Sequence, residues 1–271
     1  MPEGPEVTFL VNKIFNKFIN KKLHSIKIMN GRYKNHGPPK NYNKFINNLP
    51  LKCLNVIKKG KVIFIYFEND WCIISKLGMT GWWFIDDKFP LWRNNKLKTF
   101  IFDFNSHELN FSDFRNFGTF IFTSNSEIIE KEYNRIAYDI LDPTINLSTI
   151  KNNIINYTNK HPTHTLENVI IDQHAIISGI GNYLKAEILY DAKISPLRKL
   201  NHISLNEWKQ IIKSAKKITK KMVKILVHGS TDDYINQMKI YRMEFDSFGN
   251  KIKVHKTINN RSTFYVPAIQ K

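Results

Sequence analysis

Ser178-Gly179-Ile180-Gly181-Asn182-Tyr183 lies between an apolar helical stretch, Leu166 to Gln173, and a second that begins near Asn182. Two glycines in so tight a turn let backbone amides approach a ligand closely. A helix N-terminus headed by Asn182 adds donors aimed the same way, the arrangement that binds phosphate. The pattern is helix, two turns, helix. A plain helix-hairpin turn, with glycine supplying a left-handed backbone, has the same spelling, and on this stretch alone the two readings stand level. The neighbours Asp172-Gln173 and Ala186-Glu187-Ile188-Leu189-Tyr190 make the first more specific.

Working outward, the chain divides by its periodicities. Residues 24–29, 52–58, 61–68, 71–77, 81–86, 98–104, 107–112 and 117–123 are short segments rich in Ile, Phe and Trp. Turn signals such as Glu68-Asn69-Asp70 and Asn105-Ser106 separate them, which predicts an antiparallel β-sandwich behind an N-terminal helix. From about residue 127 the spacing becomes helical: 127–133, 146–159, 165–173, 182–190, and a long basic helix over 205–227 with Gly229 as its stop. Lys239-Ile240-Tyr241, Ile252-Lys253-Val254 and Thr263-Phe264-Tyr265-Val266 alternate again around a Phe248-Gly249-Asn250 turn, as an appended hairpin would. The expected class is α+β in three parts: a sandwich domain over 1–126, a helical domain over 127–235 and a hairpin over 236–271.

Composition bounds the partner. Lys and Arg number 41 against 23 Asp and Glu, a formal charge of +18. That excess fits a polyanion, nucleic acid foremost. No apolar run approaches the ~18 residues that span a bilayer. Lys13, Asn16 and Lys17 interrupt any signal-peptide core, so a soluble, intracellular protein is expected, with no membrane partner. Cys53 and Cys72 are the only cysteines, too few for a disulfide framework or a four-cysteine metal site, and read as small buried side chains.

The other informative stretch is the start, Met1-Pro2-Glu3-Gly4-Pro5-Glu6-Val7. Once the initiator Met is removed, as is usual before proline, Pro2 is a secondary amine. An α-amino group titrates at about 7.7–8.0, so an unprotonated fraction is available near neutrality. Its attack on a sugar aldehyde carbon gives an iminium ion, and Glu3 beside it is placed to move protons. Val7, Leu10, Val11, Ile14, Phe15 and Phe18 have the spacing of a helix with one buried face, which sets the nucleophile at a rigid helix's start. An ordinary helix-entry sequence has the same residues.

Together these stretches resemble the formamidopyrimidine-DNA glycosylase and endonuclease VIII family of base-excision repair enzymes, over nearly the whole chain. Pro2-Glu3-Gly4-Pro5-Glu6-Val7 is similar to the family's catalytic N-terminus, and Asp172-Gln173 through Asn182 to its helix-two-turn-helix signature. The resemblance implies a bifunctional glycosylase and AP lyase without a cofactor. In it Pro2 is the nucleophile and Glu3 the proton carrier, while Glu6 positions base or water; a first-turn surface carboxylate is the plain alternative for Glu6. Lys59-Gly60-Lys61 resembles the strand start where the family keeps a lysine on the lesion's phosphates, a role that falls to Lys61. Asn182, the Gly181 turn and Arg261 complete the phosphate clamp. Leu77-Gly78-Met79-Thr80-Gly81 and Asp113-Phe114-Arg115-Asn116-Phe117-Gly118 resemble the loops that fill the stack when a base leaves. Met79, Arg115 and Phe117 are then the wedge residues, with burial in the core as the alternative for Met79 and Phe117.

The C-terminal segment departs from the commoner members, which end in a four-cysteine zinc finger. No cysteine is present there, and His255 alone offers a ligand, so no metal is expected. Arg261-Ser262-Thr263-Phe264-Tyr265 resembles the finger's arginine-bearing strand and Tyr241-Arg242 its first strand. A zincless finger of the endonuclease VIII-like kind is the reading, held by Ile252, Val254, Phe264 and Val266, with Arg242 and Met243 as base contacts and a phosphate contact as the alternative. The short connection from Gly229 to Tyr241 lacks a long loop that would close over an extruded purine. Oxidised pyrimidines and hydantoins are therefore expected ahead of 8-oxoguanine, the alternative; a non-catalytic damaged-DNA-binding protein of the same fold is the rival from another class. The expected partner is duplex DNA with an oxidised base or abasic site, with single-stranded or bubble DNA left open, bound by a monomer in a DNA-containing compartment.

Overall fold

The computed structural model describes residues 2–88, 97–229, 233–234, 236–257 and 261–271. Met1, on whose removal the nucleophile expected at Pro2 depends, lies outside them, as do 230–232 and 235 of the Gly229–Tyr241 connection. The chain forms two compact units: Met1–Pro2 with Glu6–Arg135, and Glu3–Pro5 with Ile136–Lys271.

Helix α1 (Gly4–Phe9), whose residues from Glu6 onward belong to the first unit, widens into a π-helical turn over Leu10–Ile14 and tightens to 3-10 over Phe15–Phe18. The expected single helix is thus continuous but unevenly wound. Val7, Leu10, Phe15 and Phe18 are buried, while Val11 and Ile14 pack at the core's edge. Then follow β1 (Lys22–Leu23), β2 (Ser25–Ile28), short helices α2 (Arg32–Asn35) and α3 (Tyr42–Ile46), β3 (Leu51–Lys59), β4 (Val62–Phe67), β5 (Cys72–Lys76), β6 (Trp82–Ile85), β7 (Phe100–Asp103), β8 (Glu108–Ser112), β9 (Thr119–Thr123) and α4 (Ser126–Asn134). All pairings here are antiparallel, in one sheet of order β1-β3-β4-β5-β9 and another of order β2-β7-β8-β6.

The turn signals act as the sequence implies. Asn69 and Asp70 both take positive φ between β4 and β5, the backbone twist that suits a tight hairpin. Both sheets share one apolar core around Trp83, whose ring centroid is 5.1 Å from Phe15, 5.0 Å from Phe111 and 5.8 Å from Phe120. Its indole N–H donates to Ser75 Oγ at 3.2 Å, so this deeply buried ring leaves no polar atom stranded. Helix α4, which the sequence places with the helical domain, clusters with the sandwich. Glu132 on α4 accepts from Lys76 of β5 at 2.7 Å, and Lys59 Nζ donates to the Tyr133 carbonyl at 3.1 Å.

The second unit contains β10 (Tyr138–Asp139), α5 (Leu147–Lys160), α6 (Leu166–Val169), β11 (Ile177–Ser178), α7 (Asn182–Asp191), α8 (Leu205–His228), β12 (Lys253–Lys256) and β13 (Ser262–Tyr265). Capping boxes start α5 (Asn146 with Thr149) and α8 (Ser204 with Glu207). Helix α8 buries Trp208, Ile211, Ile212, Ala215 and Met222 against α7 and α5, the face its spacing predicts. Helix α6 is shorter than the expected 165–173, because the chain turns at Asp172 to bring Gln173 onto the glycine turn.

The hairpin β12–β13 pairs Val254 with Phe264 and His255 with Thr263. Two expectations fail here. Lys239–Tyr241 is not a strand: the buried Glu187 carboxylate accepts the amides of Lys239, Ile240 and Tyr241 at 2.9–3.0 Å and bends that segment into a turn. Val254 is exposed, so the hairpin's core is Ile252 and Val266 with Ile240, Ala186 and Tyr190, and Phe264 packs beside it.

Candidate active site

The centre of the second unit's site is a carboxylate on a helix end. Glu3, 1% exposed, accepts the amide of Gly181 at 2.7 Å and that of Leu184 at 3.2 Å on Oε2, and that of Tyr183 at 3.0 Å on Oε1. These are the donors a helix leaves unsatisfied in its first turn, and the helix dipole favours a negative group there. The sequence motif therefore folds around an anion, but the anion is the protein's own. The expectation that the Gly181 amide reaches a DNA phosphate is corrected accordingly, since that N–H is spent on Glu3.

Each glycine has its own reason. A Cβ on Gly181 would fall 2.4 Å from the Glu3 carboxyl, so the residue serves by having none. Gly179 takes φ +93°, its carbonyl accepts the Gly4 amide at 2.7 Å, and its own amide donates to Gln173 Oε1 at 2.8 Å. Gln173 also donates to the carbonyls of Ile171 and Ile180, which explains why Asp172-Gln173 accompanies the motif.

Asn182 heads α7 and donates its Nδ2 to the Ser262 carbonyl at 3.2 Å, next to Arg261. Arg261 is exposed; its amide donates to Thr257 Oγ1 at 3.1 Å and its carbonyl accepts the Thr257 amide at 3.0 Å. The second unit thus brings Glu3, Gly181, Asn182 and the strand after Arg261 together. Arg242 is exposed at φ +63° with its guanidinium carbon 5.4 Å from the Tyr241 ring, on a turn and not on the expected strand.

In the first unit Pro2 and Glu6 are buried, so Glu6 is not a surface carboxylate. Lys61 shares a two-residue turn with Gly60 (φ +56°) between β3 and β4. The loops carrying Met79 and Phe117 pack on one another: Gly78 at φ +61° lies so close to Phe117 that a Cβ would fall 2.6 Å from its carbonyl carbon. Thr80 donates to Asp113 Oδ1, and Asp113 Oδ2 accepts the Gly118 amide at 2.5 Å. Met79 and Phe117 are 41% and 50% exposed, which removes the core alternative, and the Arg115 guanidinium carbon stands 4.9 Å from the Phe117 ring. Phe114, which the sequence reading passed over, is as exposed as Phe117.

The residues do not fit a zinc site. The hairpin has no cysteine, Cys53 and Cys72 are buried in the sandwich with burial pushing both thiols up to about 12, and among the described residues no group of three His, Cys, Asp or Glu is gathered. No described helix is long and apolar enough to cross a membrane.

Comparison with known proteins agrees with this layout. Residues 1–120, 139–233 and 230–271 match the N-terminal, H2TH and C-terminal domain families of formamidopyrimidine-DNA glycosylase. The enzyme of that name from Mycoplasma genitalium is 29% identical over all of this chain and 96% of its own length. That from Mycoplasma pneumoniae is 30% identical over 83% of this chain and 79% of its own. Among solved structures, MutM in complex with DNA containing carbocyclic 8-oxo-G has a TM-score of 0.81 at 21% identity, covering all of both chains. The complex between the Lactococcus lactis Fpg and DNA containing an abasic site has 0.81 at 19%, covering 99% of both chains. With the capped helix-two-turn-helix, the sandwich and the arginine-bearing hairpin all in place, the chain belongs to the formamidopyrimidine-DNA glycosylase family of DNA-repair glycosylases and AP lyases.

Proposed function

We propose that this glycosylase excises oxidised purines, formamidopyrimidines and 8-oxoguanine, and then cleaves the strand by β- and δ-elimination through Pro2. The observation that carries the reading is the Glu3 carboxylate fixed on the α7 N-terminus, because it sets the position of the residue next to the nucleophile. The Pro2 nitrogen attacks C1′, the N-glycosidic bond breaks, and the base leaves with a proton. Ring opening gives an iminium ion, which acts as an electron sink. Loss of a C2′ proton expels the 3′ phosphate, and a second elimination expels the 5′ phosphate. Glu3 moves protons at the sugar, and Glu6 orients base or water. Lys61, Asn182 and Arg261 hold the phosphates, a sequence-independent and salt-sensitive source of affinity that the charge of +18 serves. Met79, Arg115 and Phe117 fill the vacated stack, and Arg242 faces the base. The enzyme acts as a monomer on damaged duplex DNA.

The names of the relatives support the purine reading: each of those cited carries the formamidopyrimidine name. Oxidised pyrimidines and hydantoins are the second reading, favoured by the short Gly229–Tyr241 connection. Two experiments test the proposal. Borohydride trapping on an abasic duplex should yield an adduct at residue 2, lost in Pro2→Gly or with a blocked terminus. Single-turnover excision of formamidopyrimidine, 8-oxoguanine and thymine glycol from matched duplexes should rank the purines first; a thymine glycol preference would install the second reading.

A further inference from the structure

Resting on the proposed function, we infer that Lys185 is a positioning residue for the reaction: its ammonium ties α7, which carries Glu3 on its N-terminus, to the hairpin strand that begins after Arg261. Lys185 is fully buried, and its Nζ donates to Thr263 Oγ1 at 2.7 Å. Thr263 is also fully buried and stands two positions after Arg261. Its cross-strand partner is His255, whose Nδ1 lies 3.0 Å from the buried Glu167 carboxylate on α6. One rung of the hairpin is therefore fastened to two helices, by Lys185 on one strand and Glu167 on the other.

A lysine is a costly choice at such a place, because desolvating an ammonium is unfavourable and a helix interior facing a strand is ordinarily filled with apolar side chains. The charges around it give the choice a purpose. Burial lowers the Lys185 pKa to about 8; Glu167 raises it, Arg261 lowers it and Glu3 raises it. The groups that bear on its charge thus include the proposed proton carrier and the proposed phosphate clamp. The facing groups are Glu3 on the N-terminal segment, Glu167 on α6, Arg261 and Thr263 on the hairpin, and His255 behind Glu167. As the pH passes about 8 the ammonium gives up its proton and the attraction to Glu3 and Glu167 goes with it. A loss of turnover on the basic side follows.

The test compares wild type, Lys185→Met, Lys185→Arg and Thr263→Val on a duplex with one abasic site, with amide hydrogen exchange at 262–265 read in parallel. Lys185→Met should lower kcat about tenfold or more with KM changed less than about threefold, the signature of lost orientation. It should also speed exchange at 262–265. Lys185→Arg should recover most of kcat and remove the basic limb near pH 8, because a guanidinium stays charged. A folded Lys185→Met with wild-type kcat, KM and pH profile overturns the inference. Should Lys185→Met not fold, Thr263→Val decides, with unchanged kcat and exchange counting against it. A wild type that cleaves nothing refutes the proposed function instead, and the exchange data then judge the tie by itself.

Discussion

The Gly181 amide nitrogen lies 2.7 Å from Glu3 Oε2, and the space a Cβ would need at Gly181 is taken by the same carboxyl. Residues 178 positions apart in sequence are thus fitted to one another: the glycine makes room for the acid, and the acid occupies the helix end that the glycine turn opens.

Gly181→Ala should therefore act as a mutation of Glu3. The added methyl pushes the carboxyl off the Gly181, Tyr183 and Leu184 amides, with a stability loss of about 1–2 kcal/mol, the value of a helix cap. Excision should fall by about a hundredfold, since misplacement by about 1 Å carries that cost. Thermal melting and single-turnover excision measure both; a variant stable and active as wild type would show that the Glu3 cap has no bearing on the chemistry.

Met79→Ala and Phe117→Ala should separate activity from stability. Both side chains are about half exposed on loops held by Gly78, Thr80 and Asp113. Each variant should melt within about 0.5 kcal/mol of wild type, as surface substitutions do. Replacing a lost base stack is worth a few kcal/mol, so excision from duplex should drop at least about tenfold, and less from single-stranded lesions. Equal loss on both substrates would argue against a wedge.

Much of this was legible in the sequence, and the exceptions have physical causes. Strands β2 to β9 follow from alternation and turn residues, and α8 from its apolar spacing, because burial on one face writes a period into the chain. The Pro2-Glu3 start, the glycine turn and the loops around Met79 and Phe117 are legible as motifs. What the sequence hides is long-range polar pairing. Nothing in Glu187 marks it as the acceptor that bends 239–241, and Lys185 reads as a surface lysine on a helix with no clear polar side. The Glu3 cap on α7 is likewise invisible, since no local pattern links residue 3 to residue 181.

The hairpin should be indifferent to chelators. Its core is Ile252 and Val266 with Ile240, Ala186 and Tyr190; Gln270 accepts the Val266 amide at 2.7 Å and donates to the Ile194 carbonyl at 3.0 Å. These contacts do the holding that a metal does in a zinc finger. Prolonged incubation with EDTA should leave both Tm and abasic-site cleavage unchanged, whereas Val266→Ala should lower Tm by leaving a void in a small core. A fall in Tm with EDTA would reveal a bound ion.

Acid should loosen α4 from the sandwich through Glu132. Burial alone raises its pKa, but Lys76 at 2.7 Å and Arg135 at 2.8 Å outweigh that and hold the carboxyl below its usual range. A folded pKa below the unfolded one, about 4.3 for Glu, adds stability that is complete above the unfolded value and is lost as the pH falls through the folded one. Glu132→Gln should thus cost about 1–2 kcal/mol at pH 7, the value of a partly buried charged hydrogen bond left half-paired. The gap from wild type should narrow as the pH falls below the unfolded value toward the depressed folded one, where wild-type Glu132 is itself neutralised. Urea unfolding of both proteins at pH 7 and pH 3 measures it, and a gap of equal size at the two pH values would mean that packing, not charge, joins α4 to β5.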